Sequence, residues 1–369
     1  YTSFKELMPQ IPAKYDELAE VAAYVNWESL VAPYGFLKRE AMLMSKNWLC
    51  NVWSWDHCFN ALALAYKAPQ MAWDQFMIMF DYQTAIGCLP DSVNDSKIIH
   101  NYCKPPIHGW ILRKLMQIMP LSDVQLSDAY DKLSKWTNWW LTCRDNNNDG
   151  LCEYNHGNDS GWDNSTAFSE MPPTTTPDLA AFLILQMDVL SELAKKFGNA
   201  DEAVSWKEKS DTMLANMITK LYENGEPHAL DGLDNRVHKS DTLLFYLPLI
   251  LGNRLPEDIR RKGIATLKSN KFMTSNGFAT ESPASSLYED DGYWRGPIWA
   301  PSTFIIIDGL TECGEKEFAK VMVERFCDMM GKSGCAENFD AVTGEGLRDL
   351  AYTWTASVMF VLANEYLMK

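Results

Sequence analysis

Apolar residues recur at helical spacing (i, i+3, i+4) through most of this 369-residue chain, and strand-like alternation is scarce. The pattern predicts an all-α protein, in which short pieces such as 226–231 pair only locally and no sheet of any size forms. The predicted helices span residues 14–33, 54–66, 70–86, 106–119, 125–143, 178–197, 200–222, 240–251, 256–269, 300–313, 315–331 and 350–367.

Twelve helices taken as six antiparallel pairs would close into an (α/α)6 barrel. Their even spread along the chain favours this barrel over a bundle with one long crossover, while periodicity by itself leaves closure of the ring open. The sequence contains no Ser/Gly-rich linker and no low-complexity tract, so we predict one domain over residues 1–369.

Several helix boundaries carry specific residues. Pro69 and Pro256 are placed to open helices, and the pair Gly198-Asn199 is placed to end one. Ser122 and Asp349 are candidate N-caps, since their side chains can accept a hydrogen bond from the first turn of a helix.

The connections between the predicted helices are unusually long and rich in Trp, Asp, Asn and Gly. Loops of more than about a dozen residues are uncommon in compact domains and usually carry function. The functional residues are therefore expected in the connections 87–105, 144–177, 223–239 and 270–299, and in the shorter connection 332–349.

Charge and composition exclude several classes of partner. The net charge is −16 without any Lys/Arg-rich block, so nucleic acid is not expected to bind, whereas a neutral ligand such as a sugar is compatible. No apolar run is long enough to span a membrane, and the first ten residues lack the pattern of a signal peptide. Nine scattered cysteines without a CxxC pair indicate free thiols in a cytoplasmic protein. No feature of the sequence indicates an oligomeric state.

Aromatic residues cluster where loops meet predicted helices, in 53-WSWD-56 and 293-YWRGPIWAP-301. Each of the 14 tryptophans taken alone is more often a core residue. In three of the aromatic groups at the loops, however, a tryptophan directly precedes a carboxylate or an arginine, in Trp55-Asp56, Trp162-Asp163 and Trp294-Arg295. Apolar ring faces beside hydrogen-bonding groups are what a sugar ring requires, so the sequence predicts a carbohydrate site.

Carboxylates are the best candidates for chemistry. The sequence has no GxSxG, HExxH or GxGxxG motif, and its six histidines include no i, i+4 helical pair. Asp163 follows Trp162, whose bulk would exclude water and raise the pKa of the carboxyl toward that of a general acid. Glu337, in the polar run 335–346, is a possible partner base. Two carboxylates flanking one bond is the layout of glycoside hydrolysis.

The order of these motifs resembles inverting glycoside hydrolases of family 63, the processing α-glucosidases, and the related trehalases of family 37. The matching stretches are WSWDHCF (53–59), NYCKPP (101–106), DSGWDNS (159–165), YWRGPIWAP (293–301), and AENFDAVTG (336–344) followed by YTWTAS (352–357). Tyr102 stands where trehalases carry an arginine, which argues against trehalose as substrate. The resemblance also implies an (α/α)6 barrel, to which larger relatives add a preceding β-rich domain.

The resemblance implies that Asp163 is the general acid and Glu337 the general base of an inverting α-glucosidase acting on di- or oligosaccharides, without an organic cofactor. A trehalase or a mannosylglycerate-type hydrolase are alternatives within the same chemistry. A sugar epimerase would need a histidine pair, and a non-catalytic glycan-binding protein would not need both acids. Substrate-binding positions are expected at Trp55, Asp56, Gly161, Trp162, Trp294, Arg295, Trp299 and Trp354.

The run 145-DNNNDGLCE-153 is similar to a calcium loop, with oxygen-bearing residues at positions 1, 3 and 5 and Gly150 at position 6. Position 12, usually Glu, is His156 here. Some family 63 enzymes are similar in holding calcium at such a loop, and the alternative is a merely polar turn. The expected ligands are Asp145, Asn147, Asp149, the carbonyl of Leu151, and Glu153.

Overall fold

The computed structural model describes residues 1–169 and 172–368. Within these residues the α-helices are α1 (Thr2–Lys5), α2 (Asp16–Glu28), α3 (Asp56–Ala65), α4 (Pro69–Met77), α5 (His108–Ile118), α6 (Asp123–Cys143), α7 (Pro177–Lys196), α8 (Ala200–Leu221), α9 (Glu257–Lys268), α10 (Ala300–Glu312), α11 (Lys316–Ser333) and α12 (Thr353–Leu367). The 3₁₀ helices are Ala13–Tyr15, Ile78–Tyr82, Gly157–Ser160, Thr166–Phe168 and Leu243–Arg254.

Six inner helices form a closed ring. Helix α3 contacts α5, α5 contacts α7, α7 contacts the 3₁₀ helix Leu243–Arg254, and the ring continues through α10 and α12 back to α3. The other six long helices lie outside this ring, each against an inner helix. The predicted (α/α)6 barrel is therefore confirmed, including the closure that the periodicity left open.

Burial explains which helices are inner. Every residue of α3 is buried, and α7 is buried over most of its circumference, as expected for helices that are apolar on all sides. Helix α8 is amphipathic instead, burying only one stripe of side chains. Helices without a polar face are stable only where other helices surround them, so the sequence itself separates the inner from the outer layer.

Most predicted helix bounds agree with the observed ones to within a few residues. The helix predicted over 14–33 ends at Glu28, and the one predicted over 70–86 is α-helical to Met77 and 3₁₀ from Ile78 to Tyr82. A third prediction differs in type. The segment predicted over 240–251 is the 3₁₀ helix Leu243–Arg254, because Pro248 lacks the N–H that an α-helix would need and Gly252 breaks the helix at φ 51°. Ser122 caps α6 in a capping box, as predicted. The prediction for Asp349 was wrong: α12 begins at Thr353, and the Asp349 carboxylate accepts hydrogen bonds from other groups.

Short strands connect the loops at one end of the barrel. The strands are β1 (Leu30–Val31), β2 (Ala41–Met42), β3 (Val52–Trp53), β4 (Ser92–Val93), β5 (Ile98–Ile99), β6 (Glu153–Tyr154), β7 (Thr174–Thr175), β8 (Tyr222–Glu223), β9 (Glu226–Pro227), β10 (Ala229–Asp231), β11 (Val237–His238), β12 (Asn338–Phe339) and β13 (Gly346–Leu347). The predicted local pairing near 226–231 is confirmed, because β9 pairs with β8, and β10 pairs with β7 and β11. The sheet β11-β10-β7-β6 thereby joins two of the long loops.

The buried apolar side chains form one continuous cluster that runs from Phe4 to Ala363. The single domain over residues 1–369 stays a prediction. All nine cysteines are unpaired thiols, as the sequence predicted. Among the described residues, no helix has the length and apolar composition needed to cross a membrane.

The capping box of α6 gives a stability prediction. Replacing Ser122 with alanine removes the acceptor for the Gln125 N–H and should lower the free energy of unfolding by about 1 kcal/mol. The exposed Ser205, inside α8, is the matched control, and Ser205→Ala should change stability by less than about 0.5 kcal/mol. Chemical denaturation followed by circular dichroism measures both, and equal losses would contradict the capping role.

Candidate active site

The N-terminal ends of the inner helices converge on a cavity of about 360 Å³. Trp55 and Asp56 begin α3, Trp299 precedes α10, and Trp354 lies in the first turn of α12. The loop before α7 adds Gly161 and Asp163. Of the residues predicted to act on substrate, the cavity wall contains Trp55, Asp56, Gly161, Asp163, Trp294, Trp299 and Trp354.

Four tryptophans build the apolar part of the wall. The rings of Trp294 and Trp299 are stacked, with centroids 3.9 Å apart and an interplanar angle of 6°. Trp354 meets Trp299 and Trp55 edge-on, with a centroid distance of 5.6 Å in each case. Such mutual packing holds each ring in one orientation, and a fixed aromatic surface can stack against the C–H face of a sugar.

The segment 157–163 turns sharply, and this turn delivers Asp163 to the cavity. The 3₁₀ helix Gly157–Ser160 ends at Gly161, whose φ of 72° is left-handed. A Cβ on Gly161 would lie 2.5 Å from the Trp55 ring, so only glycine allows the backbone to approach this ring. The Ser160 hydroxyl accepts a hydrogen bond from the N–H of Trp162 at 3.0 Å.

Asp159 holds the same segment in place through hydrogen bonds. Its buried carboxylate accepts hydrogen bonds from the N–H groups of Cys103 (3.1 Å) and Asn155 (3.0 Å), and from Arg144 (3.1 Å). Asn164 ties the segment to the Trp-rich loop, since its Oδ1 accepts from the N–H of Trp294 at 2.9 Å. The sequence analysis missed both residues, because their partners lie far away along the chain.

A buried lysine organises the carboxyl groups of the cavity. Lys104 donates to the carbonyl of Asn158 at 2.7 Å, and its Nζ lies 3.7 Å from Asp163 and 3.6 Å from Asp91. Burial alone would lower the pKa of Lys104, but the carboxylates of Asp163, Asp91 and Asp56 raise it above its ordinary value. The lysine is therefore a fixed positive charge in the cavity wall, which the sequence analysis did not single out.

The neighbouring carboxyl groups titrate at different pH values. Burial raises the pKa of Asp56 to about 8, with Lys104 opposing the shift and Asp163 adding to it. Burial likewise raises the pKa of Asp91 to about 6. The pKa of Asp163 is also raised by burial, against the lowering effect of Lys104 and His156. Raised carboxyl pKa values beside a cavity are typical of general acid–base sites.

Glu337 lies behind the cavity wall, next to Tyr293. Its side chain is buried, and burial raises its pKa to about 7, while Arg348 and Tyr293 act in the lowering direction. Tyr293 itself lines the cavity. Burial raises the pKa of the Tyr293 phenol, and the charges of Asp163 and Glu337 raise it further. Two carboxyl groups from loops 174 residues apart in sequence (337 − 163) therefore both act on one phenol at the cavity.

Two of the expected substrate-binding residues do not reach the cavity wall. Trp162 is buried against Trp294, with ring centroids 4.8 Å apart, so it supports the wall from behind. Arg295 pairs with the Glu289 carboxylate at 2.7 Å, and this places its guanidinium away from the cavity. Both were expected at the cavity because they adjoin Asp163 or Trp294 in sequence, but neighbouring side chains of a loop point in different directions.

A histidine pair exists in space, although the sequence indicated none. His57 and His108 begin α3 and α5 with ring centroids 5.4 Å apart, and their ligand atoms and that of Cys58 lie within 4.8 Å of one another. All three residues are completely buried, and burial lowers the pKa of His57 to about 4. Neither histidine lines the cavity, so this pair does not supply the exposed groups that an epimerase would need.

The calcium-like loop holds its acidic groups close together. The Asp145 carboxylate accepts from the N–H of Asp149 at 2.9 Å, and both residues act on Glu153, whose pKa burial raises to about 7. The Lys220 ammonium lies 3.1 Å from the Asp149 carboxylate and 2.6 Å from its carbonyl oxygen. These oxygens suit calcium chemically, but an ion bound to Asp149 would have to displace Lys220. The calcium site stays a prediction.

The close approach of Gly161 to Trp55 predicts a specific sensitivity. Gly161→Ala places a methyl group into the Trp55 ring, and we expect loss of activity together with a destabilisation greater than the about 1–2 kcal/mol that a left-handed alanine costs alone.

Gly198 is the matched control, because its φ of 81° is also left-handed and nothing lies within 4 Å of its Cβ position. Gly198→Ala should show only the backbone cost and keep full activity. Tryptophan fluorescence, thermal unfolding and turnover distinguish the two variants. Identical behaviour of both would contradict the contact.

The comparisons with known proteins identify the family of the chain. The sequence model of the mannosylglycerate hydrolase MGH1-like glycoside hydrolase domain matches residues 50–355. Glucosylglycerate hydrolase from Mycolicibacterium hassiacum is 19% identical, over 84% of this chain and 91% of that protein.

Two solved structures share the fold. The family 63 mannosylglycerate hydrolase from Thermus thermophilus, solved with Tris and D-glycerate, superposes with a TM-score of 0.82 at 19% identity, covering 93% of this chain and 99% of that chain. Neutral trehalase from Saccharomyces cerevisiae superposes at 0.69 and 14% identity, covering 94% and 80%. The expected relation to family 63 and to the trehalase fold is confirmed. The chain belongs to the MGH1-like glycoside hydrolases and is a glycosidase.

Proposed function

We propose that this glycosidase hydrolyses small α-glycosides with inversion at the anomeric carbon, with Asp163 as general acid and Glu337 as general base. The observation that carries the proposal is geometric: Asp163 lines the tryptophan-walled cavity, and Glu337 is buried next to Tyr293, which forms part of the same wall. Two carboxyl groups from distant loops beside one sugar-sized cavity is the arrangement that glycoside hydrolysis requires.

The reaction follows from these positions. Asp163, in its protonated form, gives its proton to the glycosidic oxygen as the bond from that oxygen to the anomeric carbon breaks. Glu337, in its ionised form, takes a proton from a water molecule, whose oxygen bonds to the anomeric carbon from the opposite face. The products are a sugar of inverted anomeric configuration and a free alcohol.

Lys104 contributes to this reaction. It stabilises the carboxylate that Asp163 becomes after releasing its proton, since its ammonium lies 3.7 Å away. The opposing effect of burial keeps the pKa of Asp163 above its ordinary value, so the residue can still carry a proton when substrate binds. A base such as Glu337 with a pKa of about 7 is about half ionised at pH 7 and mostly ionised at higher pH.

Hydroxyl groups of the substrate have partners available. In the described part of the chain, Ser92 Oγ and Trp354 Nε1 are buried without a hydrogen-bond partner, and both residues line the cavity. A buried polar group without a partner costs about 1–3 kcal/mol, which a hydroxyl-rich ligand can recover by hydrogen bonding. Asp56, with its pKa of about 8, can donate as well as accept such a bond at neutral pH.

For the substrate we propose an α-linked glucosyl or mannosyl group on a small alcohol, with glycerate as the first candidate alcohol. The description of the matched family and the name of the M. hassiacum relative support this choice. Short α-glucosides come next. Trehalose ranks behind them, because Tyr102 replaces the arginine expected in trehalases and lines the cavity. The reaction needs no organic cofactor, and the unpaired thiols fit a reducing compartment such as the cytoplasm.

The acid and base roles predict the effect of two substitutions. Asp163→Asn and Glu337→Gln should each lower kcat by at least about 100-fold while the protein still binds sugar. Glu345→Gln, an exposed glutamate of the loop that follows Glu337, is the control and should keep normal turnover. Full activity of either catalytic variant, with folding unchanged by circular dichroism, would refute the assignment.

The stereochemistry gives an independent prediction. α-Glucosylglycerate, α-mannosylglycerate, maltose and trehalose are incubated with the enzyme, and proton NMR identifies the anomer released first. We expect the β-anomer from an α-linked substrate, with the fastest turnover on a glycerate glycoside. Initial release of the α-anomer would exclude inversion, and turnover of none of the four would exclude the proposed substrate class.

We further propose that the loop with Asp145, Asn147, Asp149, Leu151 and Glu153 binds calcium and stiffens the segment leading to Asp163. Hydrogen bonds inside the loop support the proposal, because the Asp145 carboxylate accepts from the N–H of Asp149 and the Glu153 carboxylate accepts from the N–H of Asn146, which hold the acidic side chains close together. Calcium should raise the Tm relative to the protein in EGTA, and Asp145→Asn should abolish that response. An unchanged Tm in millimolar calcium would show that Lys220 alone neutralises the loop.

A further inference from the structure

Two residues beside Glu337 have backbone conformations that are uncommon for side chains of their size. Tyr293 and Arg348 both have a φ of 62°, in the left-handed region. Non-glycine residues stay in this region only where surrounding contacts hold them, and such residues concentrate at functional sites. The pair therefore calls for an explanation from its contacts.

The two side chains meet. The Arg348 guanidinium carbon lies 4.9 Å from the centre of the Tyr293 ring, a distance at which a cation is attracted to an aromatic face. The guanidinium also donates to the Asp291 carboxylate and, at 3.3 Å, to the Asp291 carbonyl. Arg348 is thus fixed to the loop that carries Tyr293, so both residues behave as one unit.

The hairpin of β12 and β13 places Arg348 beside the backbone of Glu337. The antiparallel ladder ends with Asn338 paired to Leu347, and beyond that pair the N–H of Glu337 donates to the carbonyl of Asp349 at 2.6 Å. The register therefore shifts by one residue, and Arg348, with its left-handed φ, is the extra residue of this bulge. Arg348 thus lies next to the residue that fixes the Glu337 backbone.

We infer that Arg348 is a positioning residue for Glu337. It holds the Glu337 carboxylate and the Tyr293 ring in place relative to each other, and it stabilises the negative charge of the carboxylate. The inference rests on the proposed role of Glu337 as base. Arg348 need not touch the substrate, because it acts through Glu337 and through Tyr293, which lines the cavity.

The electrostatics around Glu337 agree with this role. Burial raises the pKa of Glu337, the backbone hydrogen bond at Asp349 lowers it, and Arg348 is the charged group that lowers it further. The titratable groups that face this carboxyl group are Arg348, Asp349, Tyr293 and Tyr352. Without Arg348, the base would be protonated over a wider range of pH.

The test compares Arg348→Gln with Arg348→Lys, using α-glucosylglycerate, or whichever compound of the NMR screen is turned over, as the assayed substrate. Glu337 must be ionised to act, so kcat/KM rises with pH through its pKa. We expect Arg348→Gln to move this acidic limb upward by about one pH unit, which is about a tenfold loss of kcat/KM at pH 6. Arg348→Lys keeps the positive charge, so its pH profile should lie close to that of the unsubstituted protein.

The control is Arg113→Gln. Arg113 has the same exposed side-chain fraction as Arg348, 29%, and likewise pairs with an exposed carboxylate, Glu192, but it lies on α5 and not on the loops that carry Glu337 and Tyr293. Its substitution should leave the pH profile unchanged. Two results would overturn the inference. If kcat/KM of Arg348→Gln falls equally at all pH values, Arg348 has only a structural role, and if its pH profile is unchanged, Arg348 has no role in the reaction.

A second measurement separates this inference from the proposed function. Carbon-13 NMR of protein labelled at glutamate carboxyl groups, with Glu337 assigned by its absence in Glu337→Gln, reports its pKa without any substrate. An upward shift of the Glu337 pKa in Arg348→Gln supports the inference. It does so even if Glu337→Gln remains active, because that activity would refute only the catalytic role of Glu337. An unchanged Glu337 titration in a folded Arg348→Gln overturns the inference whatever the activity.

Discussion

The fold depends on one constraint: most of the inner helices are buried around nearly their whole circumference. Helix α3 is buried along its whole length, so it is stable only when other helices enclose it, and a closed ring with an outer layer is the arrangement that provides this. Polar and charged groups are then confined mainly to the ends of the ring. The candidate active site lies where the N-termini of several inner helices meet, and their partial positive charges favour the carboxylates gathered there.

Within this cavity, burial and one lysine set the properties of the acids. Desolvation raises the pKa values of Asp56, Asp91, Asp163 and Glu337 alike, and Lys104 moderates the first three. The charges also differ in placement: Lys104 faces Asp163 from inside the cavity, whereas Arg348 faces Glu337 from the loop behind Tyr293. Each of the two proposed catalytic groups thus has its own cation, as a site with separate acid and base roles requires.

Much of this architecture was accessible from the sequence, for a physical reason. Long amphipathic or fully apolar helices have a strong periodic signal. The need for glycine at position 161, by contrast, is explained only by the ring of Trp55, which is its neighbour in space and not in sequence. What could not be predicted depends on tertiary contacts. Lys104, Asn164 and Tyr293 gain their roles from partners on other loops, and the arginine that reaches Tyr293 is Arg348 rather than Arg295, which merely adjoins Trp294 in sequence.

The central claim is that Asp163 and Glu337 face each other across a bound sugar. A crystal structure of Asp163→Asn with its glycoside substrate measures this directly. The account predicts the sugar ring against the tryptophan wall, the anomeric carbon between the two side chains, and a separation between residues 163 and 337 of about 6.5–9.5 Å with a water molecule on the Glu337 side. A sugar bound outside this cavity, or a Glu337 carboxyl group turned away from the anomeric carbon, would contradict it.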